Sequence, residues 1–600
     1  MDCVNKSGPR MLHRWHLAIV VHAVCWAVVA TSASAASDVV LKRFGRGAGP
    51  EAVGIVGASE DAELDGPQAL YAGDNGELLL LDQVNGRILR FDPKQPAATV
   101  HSFALPPVLQ PSDMIVHEGN IVVWDGAAHT LQSTGQDDAP VRGLEEVSTR
   151  AADDDTIHSA FAQMGSQAAD SDQDSVDGSS RSGADTTNAP ARQFVASRGR
   201  GAVVATVVRD KGGNGATIGV RPRDHADAIA VLHLEVRERL GAVEFLDIDN
   251  QGRMFVLVED IPQSSRHGAS AFIARFTPAG TMEGVYELPL AECVALSRRF
   301  VTVSSDGDVY FLRTRAADVD VLGVGFRPLR DDRVIEAVGG RAETRPARAT
   351  KRKGEPAAGG TASARPVTRE RVIATAFAFE GARWRLTSSA YGGDPDAACA
   401  DVRLRTRRPT YLNGRLDQEI RGIPYCWGCS GSLDKVRAEL DRGVLAGNVC
   451  THNAPRPDVA GVDCSAFVSA AWGLDSHFTT AAIPSISTQL ANAWELLPGD
   501  ALNKPGSHVM LFLRFTPDRK AEVMEAAPAA CNGRVCRNIY PLASLLARGF
   551  EPVRYRAISG DDTIRVSETA ELEPNLPKRR HERRVRHGGA HAKKSLRASR

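Results

Sequence analysis

The chain has 600 residues, enough for two or more domains, and 43% of them are hydrophobic and 24% charged. This composition is typical of globular proteins and excludes a chain that is disordered or fibrous throughout. The formal net charge of −1 conceals two opposed segments. Residues 151–190 carry eight aspartates and one basic residue, whereas residues 571–600 carry ten Lys and Arg and three glutamates. The chain as a whole therefore lacks the basic excess that would indicate a nucleic-acid partner.

The first 36 residues have the pattern of a secretory signal. Lys6, Arg10 and Arg14 precede an apolar run over residues 17–30, and small residues at 33–35 offer a cleavage site. The run is short for a membrane span, although an uncleaved anchor is the alternative. We predict a signal peptide over residues 1–36 and export to the periplasm or cell envelope.

Residues 37–340 show short strands separated by turns. A glycine followed by a strand recurs at Gly76, Gly119, Gly201, Gly252 and Gly307, with spacings of 43, 82, 51 and 55 residues. These spacings, apart from the 82 that contains an insertion, favour an all-β propeller with five visible blades. A pair of β-sandwiches is the alternative. Residues 82–92 also resemble an NHL repeat, and such a propeller would bind a protein or glycan ligand.

Three segments change composition sharply. Residues 134–190 are rich in Asp, Ser, Ala and Gln, which predicts a disordered acidic insertion in the propeller. Residues 341–370 are rich in Arg, Ala, Pro and Gly, which predicts a linker. Residues 559–600 predict a disordered basic tail, and an anionic envelope polymer is the partner that its charge would attract.

The stretch around Cys464 predicts a nucleophile. Residues 465–472 have apolar side chains at helical spacing and are followed by Gly473, so Cys464 should lie at the first turn of a buried helix. Backbone N–H groups and the helix dipole at that position favour the thiolate and can stabilise an oxyanion. A small buried cysteine without chemistry is the alternative.

A hairpin downstream supplies the partners of this cysteine. Residues 508–513 and 521–526 read as strands joined by a turn. A turn centred between Thr516 and Pro517 would place His508 directly opposite Glu525 on one face. Cysteine, histidine and a carboxylate then form a nucleophile, a base and an orienting group.

The order of these landmarks resembles the NlpC-type family of papain-like cysteine peptidases. The resemblance rests on residues 424–428, the Asp463-Cys464-Ser465 triplet with Phe467, residues 498–500 and the His508 strand. It implies an α+β papain-like domain over residues 371–558, after the all-β propeller. It also implies a catalytic set of Cys464, His508 and Glu525. Tyr425, Asp463 and Ser465, beside the thiol, would bind the substrate; the alternative is that Asp463 only caps the helix and Tyr425 only packs. The implied substrate is a peptidoglycan stem peptide, cut between D-glutamate and a diamino acid.

Six further cysteines crowd into this domain, which suggests up to three disulfides in an exported protein. Cys531 and Cys536 flank a turn and are the pair most readily predicted. A zinc site made of Cys426, Cys429, Cys450 and His452 is the alternative, although we expect neither metal nor cofactor.

Two functional classes follow. In the first, the protein is an exported cysteine hydrolase of the cell wall. In the second, the propeller binds a protein or glycan, and the papain-like domain is non-catalytic or acts on a different amide.

Overall fold

A computed structural model provides the fold. It describes residues 37–56, 63–73, 75–106, 109, 111–117, 120–125, 128–131, 144–146, 192–195, 203–222, 228–263, 268–295, 297–329, 366–393, 406–450 and 458–560. The predicted signal segment and nearly all of the predicted tail lie outside the described residues, as do most of the acidic insertion and of the linker. The last five linker residues, 366–370, contain a short strand and the start of a helix.

Residues 37–329, here called the sheet region, form five small sheets within the described residues. The chain begins with β1 (Val39–Arg46) and β2 (Ala52–Val53). Sheet 1 contains β3 (Ala69–Ala72), β4 (Leu78–Asp82), β5 (Arg87–Phe91) and β6 (His101–Ala104). Sheet 2 contains β7 (Asp113–His117), β8 (Asn120–Trp124), β9 (Ala128–Leu131) and β10 (Leu144–Glu146). Sheet 3 contains β11 (Arg192–Val195), β12 (Val203–Arg209), β13 (Gly215–Pro222) and β14 (Ala230–Glu235).

Two more sheets complete the region. Sheet 4 contains β15 (Leu240–Ile248), β16 (Met254–Asp260), β17 (Ser270–Phe276) and β18 (Met282–Glu287). Sheet 5 contains β19 (Val301–Val303), β20 (Val309–Thr314) and β21 (Asp318–Gly323), and β22 (Phe326–Pro328) returns to the edge of sheet 4. The first strand, β1, pairs with β21 and so completes sheet 5. An ion pair between Arg43 and Asp320, 2.6 Å apart, lies on this junction.

Many strands of this region are buried on both faces because each sheet packs between neighbours. The four consecutive leucines of β4 show the reason: Leu78 and Leu80 pack against sheet 5, whereas Leu79 and Leu81 pack against sheet 2. A strand covered on both faces reads as a continuous apolar run instead of an alternating one. Buried clusters join sheets 1 and 2, 3 and 4, 4 and 5, and 5 and 1.

This succession of sheets, closed by the first strand, is propeller-like. The predicted sheet-rich N-terminal region built from repeated units is confirmed.

Residues 366–560, here called the C-terminal module, contain four α-helices in their described part. These are α1 (Arg369–Gly381), α2 (Leu433–Asp441), α3 (Cys464–Ala471) and α4 (Leu542–Ala547). The strands are β23 (Val367–Thr368), β24 (Arg383–Arg385), β25 (Glu419–Arg421), β26 (Leu445–Ala446), β27 (Val459–Ala460), β28 (Ser487–Gln489), β29 (Ala501–Lys504), β30 (His508–Phe515), β31 (Ala521–Ala527), β32 (Arg534–Tyr540), β33 (Glu551–Tyr555) and β34 (Ile558–Ser559).

Six of these strands form one antiparallel sheet in the order β28-β33-β29-β30-β31-β32. Helix α3 packs on β30 and β31 and also against α1, where the rings of Phe379 and Phe467 meet edge to face at 5.6 Å. The predicted helix at Cys464 and the two predicted strands of the hairpin are confirmed. The helix therefore presents its first residue at the sheet that carries His508.

The sheet region and the C-terminal module share one hydrophobic core. It includes Phe255 and Phe311 from sheets 4 and 5 together with Phe512 and Leu545 from the module. Charged side chains cross the same interface: Lys520 Nζ lies 2.9 Å from Glu244 Oε2, and both side chains are almost wholly buried.

A second interface carboxylate caps helix α4. Glu259, on β16, accepts hydrogen bonds from the backbone N–H groups of Ala543 (2.9 Å) and Ala242 (3.0 Å). Burial raises the pKa of Glu259 to about 7, although these amide bonds oppose the shift. No helix among the described residues is long and apolar enough to cross a membrane.

The buried ion pair between Lys520 and Glu244 predicts a loss of stability when one partner is removed. Lys520→Met leaves Glu244 buried without its cation, so the free energy of unfolding should fall by about 3–5 kcal/mol. Denaturant unfolding of the full chain measures this loss. The exposed Arg383–Glu419 pair provides the control, since its side chains are 68% and 63% exposed; Arg383→Ala should cost less than about 1 kcal/mol. Equal losses in the two variants would contradict a structural role for the buried pair.

Candidate active site

The helix that begins at Cys464 is fixed by the residue before it. The Asp463 carboxylate accepts a hydrogen bond from the Ala466 N–H (2.7 Å), so it caps the helix in the usual N-cap geometry. It also accepts from the Gly428 N–H (3.1 Å) and the Ser465 hydroxyl (3.0 Å). Cys464 is buried and belongs to no disulfide. Its thiol therefore lies at the positive end of a rigid helix.

The register of the hairpin differs from the prediction. Leu511 pairs with Met524 and Phe512 with Val523, and continuing this register places His508 two residues away from the position opposite Glu525. The turn lies later than expected because the Thr516 carbonyl accepts a hydrogen bond from the Arg519 N–H, with Arg519 at φ 68°, and this alone would shift the pairing by three residues. A β-bulge between Phe512 and Arg514 takes back one residue, which leaves a shift of two at His508. A shift of two residues keeps both side chains on one face. They meet as diagonal neighbours, with His508 Nε2 2.6 Å from Glu525 Oε2.

His508 connects the carboxylate to the thiol. Its side chain hydrogen-bonds with Cys464, and because Nε2 faces Glu525, the other ring nitrogen is left for the sulfur. Burial lowers the pKa of His508, but the negative charges and hydrogen bonds of Cys464 and Glu525 outweigh it and hold that pKa well above its ordinary value. The ring edge of Phe550 covers the imidazole at 6.3 Å between centroids. This geometry stabilises a thiolate–imidazolium pair.

The Glu525 carboxylate is buried, but both of its oxygens accept hydrogen bonds. Its Oε1 accepts hydrogen bonds from Tyr540 Oη (2.7 Å) and Asn538 Nδ2 (2.8 Å), while Oε2 faces His508. Burial raises the pKa of Glu525, yet the hydrogen bonds and the charge of His508 prevail and lower it. Glu525 therefore stays ionised and can hold the imidazole in one orientation.

Sequence analysis missed Asn538 and Tyr540, although a signal was present. Both lie on β32, where Cys536 is directly opposite Glu525. Residues two and four positions after Cys536 point to the same face of the strand, so the alternation of β32 brings them to the carboxylate. Once Glu525 is assigned, the alternation of residues 534–540 therefore predicts that Asn538 and Tyr540 lie on its face of the sheet.

The predicted substrate-binding residues lie around the nucleophile and are buried. Tyr425 is next to Val462 across a parallel bridge, while Asp463 and Ser465 flank Cys464. Ser465 Oγ also lies 2.6 Å from Nε2 of His477, a residue that sequence analysis did not single out. His477 follows the helix by several residues, and no local spacing relates it to Ser465. The predicted contacts of Tyr425, Asp463 and Ser465 with substrate stay a prediction.

The sheet region also reaches the site, at residues 63–65. Glu63 Oε1 lies 3.2 Å from Nζ of Lys504, which pairs with His508 across β29 and β30. The backbone of Asp65 is tied to Val56 by two hydrogen bonds. Burial raises the pKa of Asp65 to about 7, with a further rise from the charge of Glu63, whereas His508 lowers it. No pattern in the sequence places this carboxylate near a histidine some 440 residues away in the chain.

The cysteines around the site form disulfides. Cys531 pairs with Cys536, as predicted, and Cys426 pairs with Cys429. Cys450 is also disulfide-bonded. The alternative zinc site is therefore wrong for these three cysteines, since their sulfurs are already bonded, and His452 lies outside the described residues. No group of three or more His, Cys, Asp or Glu side chains in the described part of the chain is arranged to hold a metal ion.

Comparisons with known proteins give little further information. No model of a protein family and no curated protein matches the chain. Solved structures that match it include a streptogramin B lyase at 10% identity, over 48% of this chain and 98% of that chain, with a TM-score of 0.21. Others are a luciferin-regenerating enzyme (10%, 47% and 99%, TM-score 0.20) and virginiamycin B lyase from Staphylococcus aureus (8%, 45% and 98%, TM-score 0.19). At these TM-scores the matches support no argument about function.

The thiolate–imidazolium pair predicts selective alkylation of Cys464. Iodoacetamide at pH 6, without reductant, should modify Cys464 much faster than Cys293, whose thiol pKa is raised to about 11 by burial. His508→Ala should slow the reaction of Cys464 at pH 6 at least about tenfold, with a smaller effect at pH 10, where a thiol ionises unaided. Peptide mass analysis follows both sites in one sample. Equal rates at Cys464 and Cys293 in the unmodified protein would contradict an activated thiol.

The raised pKa of Asp65 predicts how stability depends on pH. Its pKa rises from 3.8 to about 7 on folding, so the folded state holds the proton more tightly and ionisation above pH 4 opposes folding. Asp65→Asn cannot ionise and should be more stable than the unmodified protein at pH 8, by at most about 4 kcal/mol, but not at pH 4. Thermal unfolding at the two pH values measures the difference. Exposed Glu551→Gln is the control, and the same pH dependence in that variant would refute the assignment.

Proposed function

We propose that this protein is an exported cysteine hydrolase that cleaves an amide bond in peptidoglycan stem peptides, between D-glutamate and a diamino acid. The observation that supports this proposal is the hydrogen-bonded series Cys464, His508 and Glu525 at a helix start. The class of reaction comes from that geometry. The choice of substrate comes from the resemblance of the C-terminal module to the NlpC-type family, together with the predicted export.

In the proposed reaction the Cys464 thiolate attacks the amide carbonyl carbon. The negative charge that develops on the carbonyl oxygen is stabilised by the Cys464 N–H at the start of α3. His508 gives its proton to the leaving nitrogen, the C–N bond breaks, and a thioester remains on the sulfur. His508 then takes a proton from water, which attacks the thioester and releases the acid and the thiolate. Throughout, Glu525 orients His508 and balances its charge.

The sheet region, interpreted as an NHL-type propeller, would bind or position the substrate. Two observations support this part of the proposal. Glu63 is bonded to Lys504 beside the catalytic histidine, and Asp65 lies within the electrostatic reach of His508 and Glu525. Because Glu63 is paired with Lys504, Asp65 is the group of the sheet region whose charge, when it is ionised, can attract a substrate amine at the site.

The assay for this function uses sacculi and defined muropeptides, with products separated and analysed by mass. The full chain should release a free amine on the diamino acid. Cys464→Ala and His508→Ala should each lower the rate at least about 10³-fold, because the members of such a set act as a unit. Glu525→Gln should lose less, since an amide oxygen can still accept the hydrogen bond of His508. Cys293→Ala is the matched control for removal of a thiol.

The possible results are distinct. Hydrolysis that persists in Cys464→Ala or His508→Ala would refute the catalytic assignment. Unchanged muropeptides together with a thiol that alkylates rapidly would indicate a different amide substrate. Absence of both hydrolysis and thiol reactivity would favour the alternative, a binding protein with a non-catalytic C-terminal module.

A further inference from the structure

A pocket lies between the sheet region and the C-terminal module, behind the catalytic residues. It is a small pocket: the centres of water-sized spheres can occupy about 30 Å³ of it, and its mouth is open to solvent. Its walls are largely apolar and include Leu246, Leu257 and Phe300 on one side and Ile539 and Pro541 on the other. Cys464 is not among the lining residues, so this pocket is separate from the proposed site of hydrolysis.

Three cationic side chains line the pocket, and two of them are neutralised. Lys520 lies 2.9 Å from Glu244, and Arg299 makes two hydrogen bonds, of 2.8 and 3.0 Å, to Asp113. The third, Arg298, donates from Nη1 to the Ser112 hydroxyl at 3.3 Å, and no carboxylate within the described ranges is close enough to form an ion pair with it. The pocket therefore has a guanidinium whose charge is not balanced locally.

A second guanidinium stands beside the same wall. Arg548 is 8% exposed, and its Nε donates to the carbonyl of Ser544, a residue that lines the pocket. Its two terminal nitrogens are buried and have no hydrogen-bond partner in the part of the chain that the structure describes. The acidic groups that act on its charge are engaged elsewhere, Glu63 with Lys504 and Glu525 with His508. Buried donors without partners are rare in proteins. Arg548 is not among the lining residues, so its charge, and not a direct contact, would act on an occupant of the pocket.

We propose that this pocket binds a small organic carboxylate with an apolar body. Arg298 supplies a planar fork of donors that matches a carboxylate, and the charge of Arg548 adds to the attraction. The apolar walls accommodate a hydrocarbon chain, as in pockets where a few polar groups orient a mainly apolar ligand. This site goes beyond the proposed hydrolysis and does not depend on it.

A ligand bound in this pocket would affect the catalytic residues through the side chain of Tyr540. The ring of Tyr540 lines the pocket, and its hydroxyl donates to Glu525 Oε1 at 2.7 Å. The other oxygen of Glu525 is bonded to His508. A ligand that packs on Tyr540 and restricts its motion also restricts Glu525, so occupancy of the pocket changes the reactivity of Cys464.

The first test measures binding to the full chain at constant ionic strength. Hexanoate should raise the unfolding temperature in a saturable manner, more than acetate, while hexanamide should have no effect. Arg298→Gln should raise the Kd for hexanoate at least about tenfold, because the guanidinium is the proposed anchor of the carboxylate. Leu246→Trp, which fills the pocket but keeps its charge, should also abolish binding. Exposed Arg442→Gln is the matched control and should bind hexanoate normally.

The second test measures coupling, as the ratio of Cys464 alkylation rates with and without hexanoate. The ratio should differ from one in the unmodified protein and return to one in Tyr540→Phe, which retains the ring and therefore binding. Equal binding of hexanamide, unchanged binding in Arg298→Gln, or tighter binding of inorganic phosphate would overturn the proposed ligand class. A ratio of one in the unmodified protein at saturating hexanoate would overturn the coupling.

Discussion

Glu525 carries a negative charge where water scarcely reaches it, and it remains charged because three donors meet its two oxygens. Burial alone would favour the neutral acid, which could not balance an imidazolium. Tyr540 and Asn538 occupy one oxygen and leave the other for His508. Both donor residues belong to β32. This strand is held in place by its pairing with β31 and by the core that the module shares with the sheet region. The orientation of the histidine thus depends on packing well beyond Cys464, His508 and Glu525.

The interface between the sheet region and the C-terminal module is continuous with the residues that support Glu525. The buried pair of Lys520 and Glu244 has little freedom to rearrange, since separating two buried charges is costly. Glu259 fixes the start of α4, and the pocket lies between these two anchors and Tyr540. A ligand or a substitution at this interface can therefore act on Glu525 without touching Cys464.

The hairpin shows how a wrong register can still bring the correct residues together. The predicted turn was too early and paired His508 with Glu525 directly. The turn at residues 516–520 moves the pairing by three residues and the β-bulge between Phe512 and Arg514 moves it back by one, which makes the two side chains diagonal neighbours. The error was an even number of residues, and side chains alternate between the faces of a strand. An error of one residue would have placed Glu525 on the opposite face from His508.

The sequence by itself determined local features. The spacing of apolar residues located the helix at Cys464, and the glycine-bounded strands indicated a region of repeated small sheets. These patterns are readable because helix and strand periodicity arise from neighbours in the chain. The tertiary structure decided which residues of separate elements meet: Asp65 and Glu63 near His508, His477 at Ser465, and Arg298 with Tyr540 in the lining of one pocket. Such contacts depend on how sheets, loops and modules pack, and the sequence carries no periodic signal for packing between separate elements.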